Sequence, residues 1–201
     1  MTNLASTWNI GLAAWIIQDG NYPEFVAGET VEFGVEYYQP RDSAAEFCES
    51  DVSAKLVADT SYSVVAERVL TNGDITILDI GILVYRQNQP PPPMPEPGKR
   101  LKTEISLGID PFHYFEAIGK SQESLPLVYT WRITSILRQT APFIETISKC
   151  GGKLRTRDQS KPGYEKVPKT DAWHDDGGNG SYILQCDLLP IPPKRDSATA
   201  R

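Results

Sequence analysis

Chemistry-bearing side chains crowd most densely into Asp171-Ala172-Trp173-His174-Asp175-Asp176-Gly177-Gly178-Asn179-Gly180, which sets carboxylates and an imidazole on flexible backbone. Oxygen-rich loops of this kind can wrap calcium, and His with Asp can hold a transition metal. The spacing is not that of an EF-hand loop, however, and no second histidine lies nearby. The segment therefore reads as a tight turn, with Asp side chains bonding local amides, Gly at positive φ and Trp173 folded onto the body of the fold. Cys150 and His174 are the thiol–imidazole pair with which nucleophilic catalysis would have to work, and nothing in the sequence brings them together. Cys150-Gly151-Gly152-Lys153 lacks the strand–GxxxxGK[ST]–helix setting of a phosphate-cradling loop. His113, between Phe112 and Tyr114, reads as a partly buried structural histidine. The residues nominate no catalytic group, no metal ligand set and no cofactor.

The other polar candidates interrupt apolar strands. Asp79 stands within Ile77-Leu78-Asp79-Ile80-Gly81-Ile82, where a buried carboxylate requires partners or a raised pKa. Arg132, next to Trp131 and near Tyr129, is its expected partner in a buried or lumen-facing ion pair. Rings beside cations also equip proteins to hold single-stranded nucleic acid, since rings stack bases and cations follow phosphates. Most aromatic residues here nevertheless fall in phase with aliphatic ones, as core residues do. The ligand-binding candidates are Asp79, Tyr129, Trp131, Arg132, Trp173 and His174.

Charge narrows the partner class. The net charge of −6 disfavours nonspecific attraction to phosphates, so nucleic acid is not the expected partner. The balance is uneven: residues 1 to 60 carry ten acids against two bases, and residues 149 to 170 carry seven bases against two acids. The basic stretch reads first as a solvated loop. Cys48, Cys150 and Cys186 are far apart and lack Cys-x-x-Cys spacing, and so read as reduced thiols. Met1 to Asp19 has neither a basic leader nor an uninterrupted apolar span, which points to a cytoplasmic protein without a membrane segment.

Elements that would position these residues show mainly period-two alternation. Val31–Tyr37 and Leu101–Ile109 are the clearest strands. Trp8–Ile17, apolar on both faces, reads as a buried central strand. Tyr62–Leu70 and Ile75–Tyr85 flank Asn72-Gly73, a dipeptide suited to a type I′ hairpin turn. Leu127–Leu137 and Ser181–Leu188 complete a set of seven strands. Asp110 can cap, and Pro111 can open, a short helix near 111–118 that Gly119 ends. The prolines of 87–98 impose an extended connection, 149–180 reads as a long and mostly irregular loop, and 190–201 as a flexible tail.

The expectation is a mainly β chain: one domain over 1–189, folded as an antiparallel barrel (OB-like, elaborated) or a two-sheet sandwich. Strand 101–109, helix 111–118 and strands 127–137 and 181–188 would supply one half of an OB-like barrel. Function is expected to be noncatalytic, in a binding or interaction domain whose partner is another protein or a second copy of the chain. The alternatives are a small-ligand or enzymatic pocket at the barrel mouth and an OB-type binder of single-stranded nucleic acid. A pocket protein should show a cavity with converging polar groups, an interaction module an apolar patch or an open strand edge, and an oligonucleotide binder exposed rings along a positive groove.

Overall fold

The computed structural model describes residues 7–40, 45–72, 75–87, 100–111, 125–147, 151–158, 160–174 and 179–195. Among them are fourteen strands and one short helix. The chain enters as β1 (Thr7–Ala13) and turns at once into α1 (Ala14–Gln18). Gly20 closes that helix at φ +80°, its amide bonded to the Ile17 carbonyl, the left-handed ending for which glycine is suited. The apolar run Trp8–Ile17 is thus a strand only as far as Ala13. It continues buried because Ala14, Ile16 and Ile17 keep one helical face on the core.

A closed five-strand barrel lies at the centre. Its strands are β3 (Val35–Tyr38), β6 (Ser61–Asn72), β7 (Ile75–Asp79), β8 (Leu83–Gln87) and β9 (Arg100–Ile109). The ladder runs β9–β3–β8–β7–β6 and returns to β9. Every pairing is antiparallel except β3–β8, which is parallel at Glu36–Tyr85. Closure removes the unpaired edges that an open sheet would expose. Period-two alternation is plain in β9, where Leu101, Thr103, Ile105, Leu107 and Ile109 are buried and Lys102 and Glu104 exposed.

The remaining long strands form an outer layer that continues the same sheet. β14 (Ser181–Leu188) pairs with β1 on one side and with β10 (Tyr129–Gln139) on the other. β10 in turn pairs with β13 (Tyr164–Val167) and β2 (Thr30–Phe33). The layers share a core in which Trp8, Ile10, Trp131, Ile133 and Leu184 from the outer strands meet Val35, Tyr62, Val64 and Leu107 from the barrel. Each such apolar side chain stabilises the fold by about 1.5–3 kcal/mol through burial. An aromatic stack ties the base together: Phe33 lies 5.5 Å from Trp131, nearly parallel, and Phe25 meets Phe33 edge-on at 6.2 Å. The Trp131 indole Nε1 donates to the Phe33 carbonyl at 3.1 Å.

Short strands complete the set: β4 (Glu46–Cys48) on β9, β5 (Ser53–Ala58) on β6, and a separate ribbon of β11 (Phe143–Ile147) with β12 (Lys153–Arg157).

The mainly β, barrel-forming reading holds, but the strands that close the barrel are not those the OB-like half would use. Of 101–109, 127–137 and 181–188, only the first lies in it; the other two build the outer layer. The segment Val31–Tyr37 is two strands. At Gly34 the chain leaves β10 and joins β9, and the Gly34 carbonyl accepts the Asp110 amide at 3.0 Å. Ile75–Tyr85 likewise folds back on itself as β7 and β8, with Gly81 at φ +104° in the bend. The hairpin of β6 with β7 forms, but its turn is one residue later than read: Asn72 pairs with Ile75 as the last residue of β6, which leaves 73 and 74, outside the described residues, as the connection. So do the helix near 111–118 beyond Pro111 and the proline run. Residues 149–180 contain β12 and β13, and Lys194 bridges Val128 at the start of the C-terminal segment.

A candidate ligand-binding cleft

Where the barrel and the outer layer join, β1 and β9 run parallel and meet at one pair, Gly11 with Gly108. Both positions need glycine for closeness. A Cβ on Gly11 would lie 3.2 Å from the Leu107 carbonyl oxygen, and one on Gly108 would lie 3.0 Å from Cε2 of Tyr38. A cleft of about 400 Å³ opens at this seam, within the size range of small-molecule sites. Its floor is the glycine pair. Its walls come from the start of α1 with Trp15, the end of β3 with Tyr38, the β5–β6 turn with Asp59 and Thr60, and the first residues of β13 and β14 with Tyr164 and Ser181.

Local structure fixes each polar group. Tyr38 leans across Gly108 and donates its hydroxyl to Glu36 Oε2 at 2.6 Å, and the residue, 45% exposed, lines the cleft. Trp15, 43% exposed, stands on α1 because the helix turns its other face to the core. Asp59 takes φ +46°, a left-handed conformation that Asp tolerates in turns. Its carbonyl accepts the Asn9 side-chain amide at 2.8 Å, and its carboxylate accepts the Tyr164 phenol. The Thr60 carbonyl accepts the Leu107 amide at 3.0 Å, and the hydroxyls of Ser61 and Ser106 share a 2.9 Å hydrogen bond.

Burial, reinforced by the Asp59 carboxylate, pushes the Tyr164 phenol up to about 12. Burial also raises Tyr38, followed by its bond to Glu36 and the charges of Glu36 and Asp110. Both phenols are therefore neutral hydrogen-bonding groups near pH 7.

The residues nominated from sequence lie elsewhere. Asp79 ends β7, half-buried, and its Oδ1 accepts the Gly81 amide at 2.7 Å. Arg132 is exposed on β10 and makes no ion pair with Asp79. The bend between β7 and β8 supplies the carboxylate's partner, so no cation is required. Asp79 is instead close to Tyr129, whose buried hydroxyl accepts the Leu83 amide at 2.6 Å. Burial pushes the Tyr129 phenol up to about 12, the Leu83 amide opposing and the Asp79 charge adding to the shift. Trp131 is wholly buried. Trp173 does not fold onto the barrel: it is 76% exposed, because Asp171 Oδ1 takes the Trp173 amide at 3.1 Å and the neighbouring Ala172 fills the core position. Asp175–Gly178 and Cys150 lie outside the described residues.

His174 lines a second pocket of about 320 Å³ with Arg138, Phe143, Arg155, Arg157 and Glu165. The Arg155 and Arg157 guanidiniums stand 4.2 and 3.7 Å from the Phe143 ring centre, and Arg138 is paired with Glu165. The basic stretch is thus partly folded against a ring. Among the described residues no group of three or more His, Cys, Asp or Glu is placed to hold a metal ion, and no helix is long and apolar enough to cross a membrane.

Sequence reasoning missed Trp15, Tyr38, Asp59 and Tyr164, which are far apart in the chain. The available signal was glycine inside strands at Gly11 and Gly108, a mark of close backbone approach. Compared with known proteins, the chain matches no family model, no curated protein and no solved structure.

Proposed function

We propose that this chain is a noncatalytic binding domain that holds a small molecule in the cleft between barrel and outer layer. The observation that carries this reading is the cleft itself, lined by four aromatic residues (Trp15, Tyr38, Tyr164 and Tyr182) and several hydroxyl-bearing ones around two glycines. Apolar walls with a few placed polar groups are the usual make-up of such sites. The phenols of Tyr38 and Tyr164, held neutral, favour hydrogen bonding over proton abstraction. A fragment screen by protein-observed NMR on the full chain tests it. Shifts should cluster at the amides of Gly11–Trp15, Ser106–Ile109 and Ser181–Ile183, and should fall away in Gly108→Ala, whose new methyl displaces the Tyr38 ring. Hits that map only to other surfaces would refute the reading.

A second reading, association with another copy of the chain, is favoured by β5. This strand ends the sheet path, pairs among the described residues only with β6, and exposes Leu56 and Val57, the latter at 56%. An open edge with apolar side chains invites strand pairing. Sedimentation equilibrium should show a dimer that Val57→Lys dissociates; a monomer throughout the micromolar range refutes it.

A further inference from the structure

Resting on the cleft reading above, we infer that the ligand is an alkylammonium ion, a small organic cation whose charge is sheathed in methyl or methylene groups. Among the described residues that line the cleft, Asp59 is the one acidic side chain, and no Lys, Arg or His joins it. Two further carboxyl groups stand behind the wall. Glu36 holds the Tyr38 hydroxyl, and Asp110 lies near enough for its charge to act on that phenol. An anion would find no cationic side chain among the lining residues. A hard metal ion asks for about six oxygen ligands, whereas the open walls here are largely ring and aliphatic surface.

Rings and a carboxylate together are what a sheathed cation requires. Trp15, Tyr38 and Tyr164 line the cleft, and the face of such a ring carries the negative side of the aromatic quadrupole, which attracts ammonium groups without requiring hydrogen bonds from them. Asp59 supplies the counter-charge at the rim, in a partly enclosed space where solvent screens it less than in bulk water. A volume of about 400 Å³ suits a whole small molecule, so the source is a free solute, not a headgroup fixed in a membrane.

The test compares choline with its neutral isostere 3,3-dimethylbutan-1-ol, by NMR titration of the full chain, with sodium chloride as the ionic-strength control. Choline should shift the Gly11 and Gly108 amides, the alcohol should bind about tenfold more weakly, and phosphatidylcholine vesicles should not compete. Asp59→Asn should weaken choline several-fold and leave the alcohol unchanged, since Asn tolerates the same left-handed backbone. Trp15→Leu, at an exposed helical position, provides a second variant and should weaken choline likewise. Equal affinity for the two probes overturns the cation assignment and leaves the cleft reading standing. If neither probe binds while neutral fragments map to the cleft, the cation assignment again fails alone. Silence from both probes and fragments removes both.

Discussion

Replacing Tyr62 by Phe isolates one atom at the seam between the layers. Tyr62 is wholly buried on β6, its ring 5.5 Å from that of Trp8, and its hydroxyl accepts the Asn9 amide at 2.6 Å with the Asn9 carbonyl 3.5 Å away. Asn9 lies on the side of β1 that faces β9, but β9 meets β1 only at Gly11. The hydroxyl therefore stands where a strand partner would otherwise be. Phe keeps the ring, its burial and its contact with Trp8, so the transfer and cavity contributions nearly vanish. What remains is a buried amide without an acceptor, which costs about 1–3 kcal/mol. A chain of this length loses about 2–4 °C of Tm per kcal/mol. Urea titration followed by tryptophan fluorescence should show a lower midpoint with an unchanged slope. Tyr62→Leu, which also loses the ring, should cost clearly more. A Tyr62→Phe loss below about 0.3 kcal/mol, far under the orphaned-amide cost, would falsify the claim that this hydroxyl completes the edge of β1.

Gly11→Ala should destabilise by about 1–3 kcal/mol in the same titration, because the new methyl presses on a backbone carbonyl that cannot swing aside; a neutral result would mean the strands are farther apart than described. Tyr85→Phe removes the hydroxyl that donates to Asp110 Oδ1 at 2.5 Å. With the Asp110 carboxyl wholly buried, the loss should be about 1.5–3 kcal/mol, and thermal melts that coincide with the parent's would refute it. Tyr37, Tyr129 and Tyr164 are each pushed up to about 12, by burial in every case. Groups raised in the folded state contribute fully below the unfolded pKa near 10, and the contribution is lost as pH rises from there through about 12. Stability should hold to about pH 9.5 and then fall, with tyrosinate absorbance near 295 nm lagging that of the urea-unfolded chain; coincident curves would refute the burial of these phenols.

Much of the fold is legible because one face of β9, in the barrel, and one of β14, in the outer layer, are buried, and period-two alternation records that directly. The break at Gly34 was not. Val31, Phe33, Val35 and Tyr37 keep phase across it, so a strand that changes partners looks like a strand that does not. The bend between β7 and β8 was hidden for a related reason: Ile80 and Ile82 are buried within it, so the turn carries the composition of a core strand. Asp79 and Gly81 are its signals, but in sequence Asp79 reads equally as a buried charge in need of a cation. The cleft was less legible still. Trp15, Tyr38, Asp59 and Tyr164 meet only because four connections end at the same seam, and local pattern holds no record of such convergence.

Between β1 and β9 the barrel and the outer layer share a single backbone rung, so beside the cleft they are held by side chains more than by ladder. An occupant that wedges between Trp15 and Tyr38 would strain little ladder; the load would pass to two latches on β1, the Tyr62 hydroxyl on the Asn9 amide and the Asp59 carbonyl on the Asn9 side-chain amide. Occupancy should therefore register first as altered hydrogen exchange at Asn9, while the closed ring of five strands, having no free border from which to fray, stays silent.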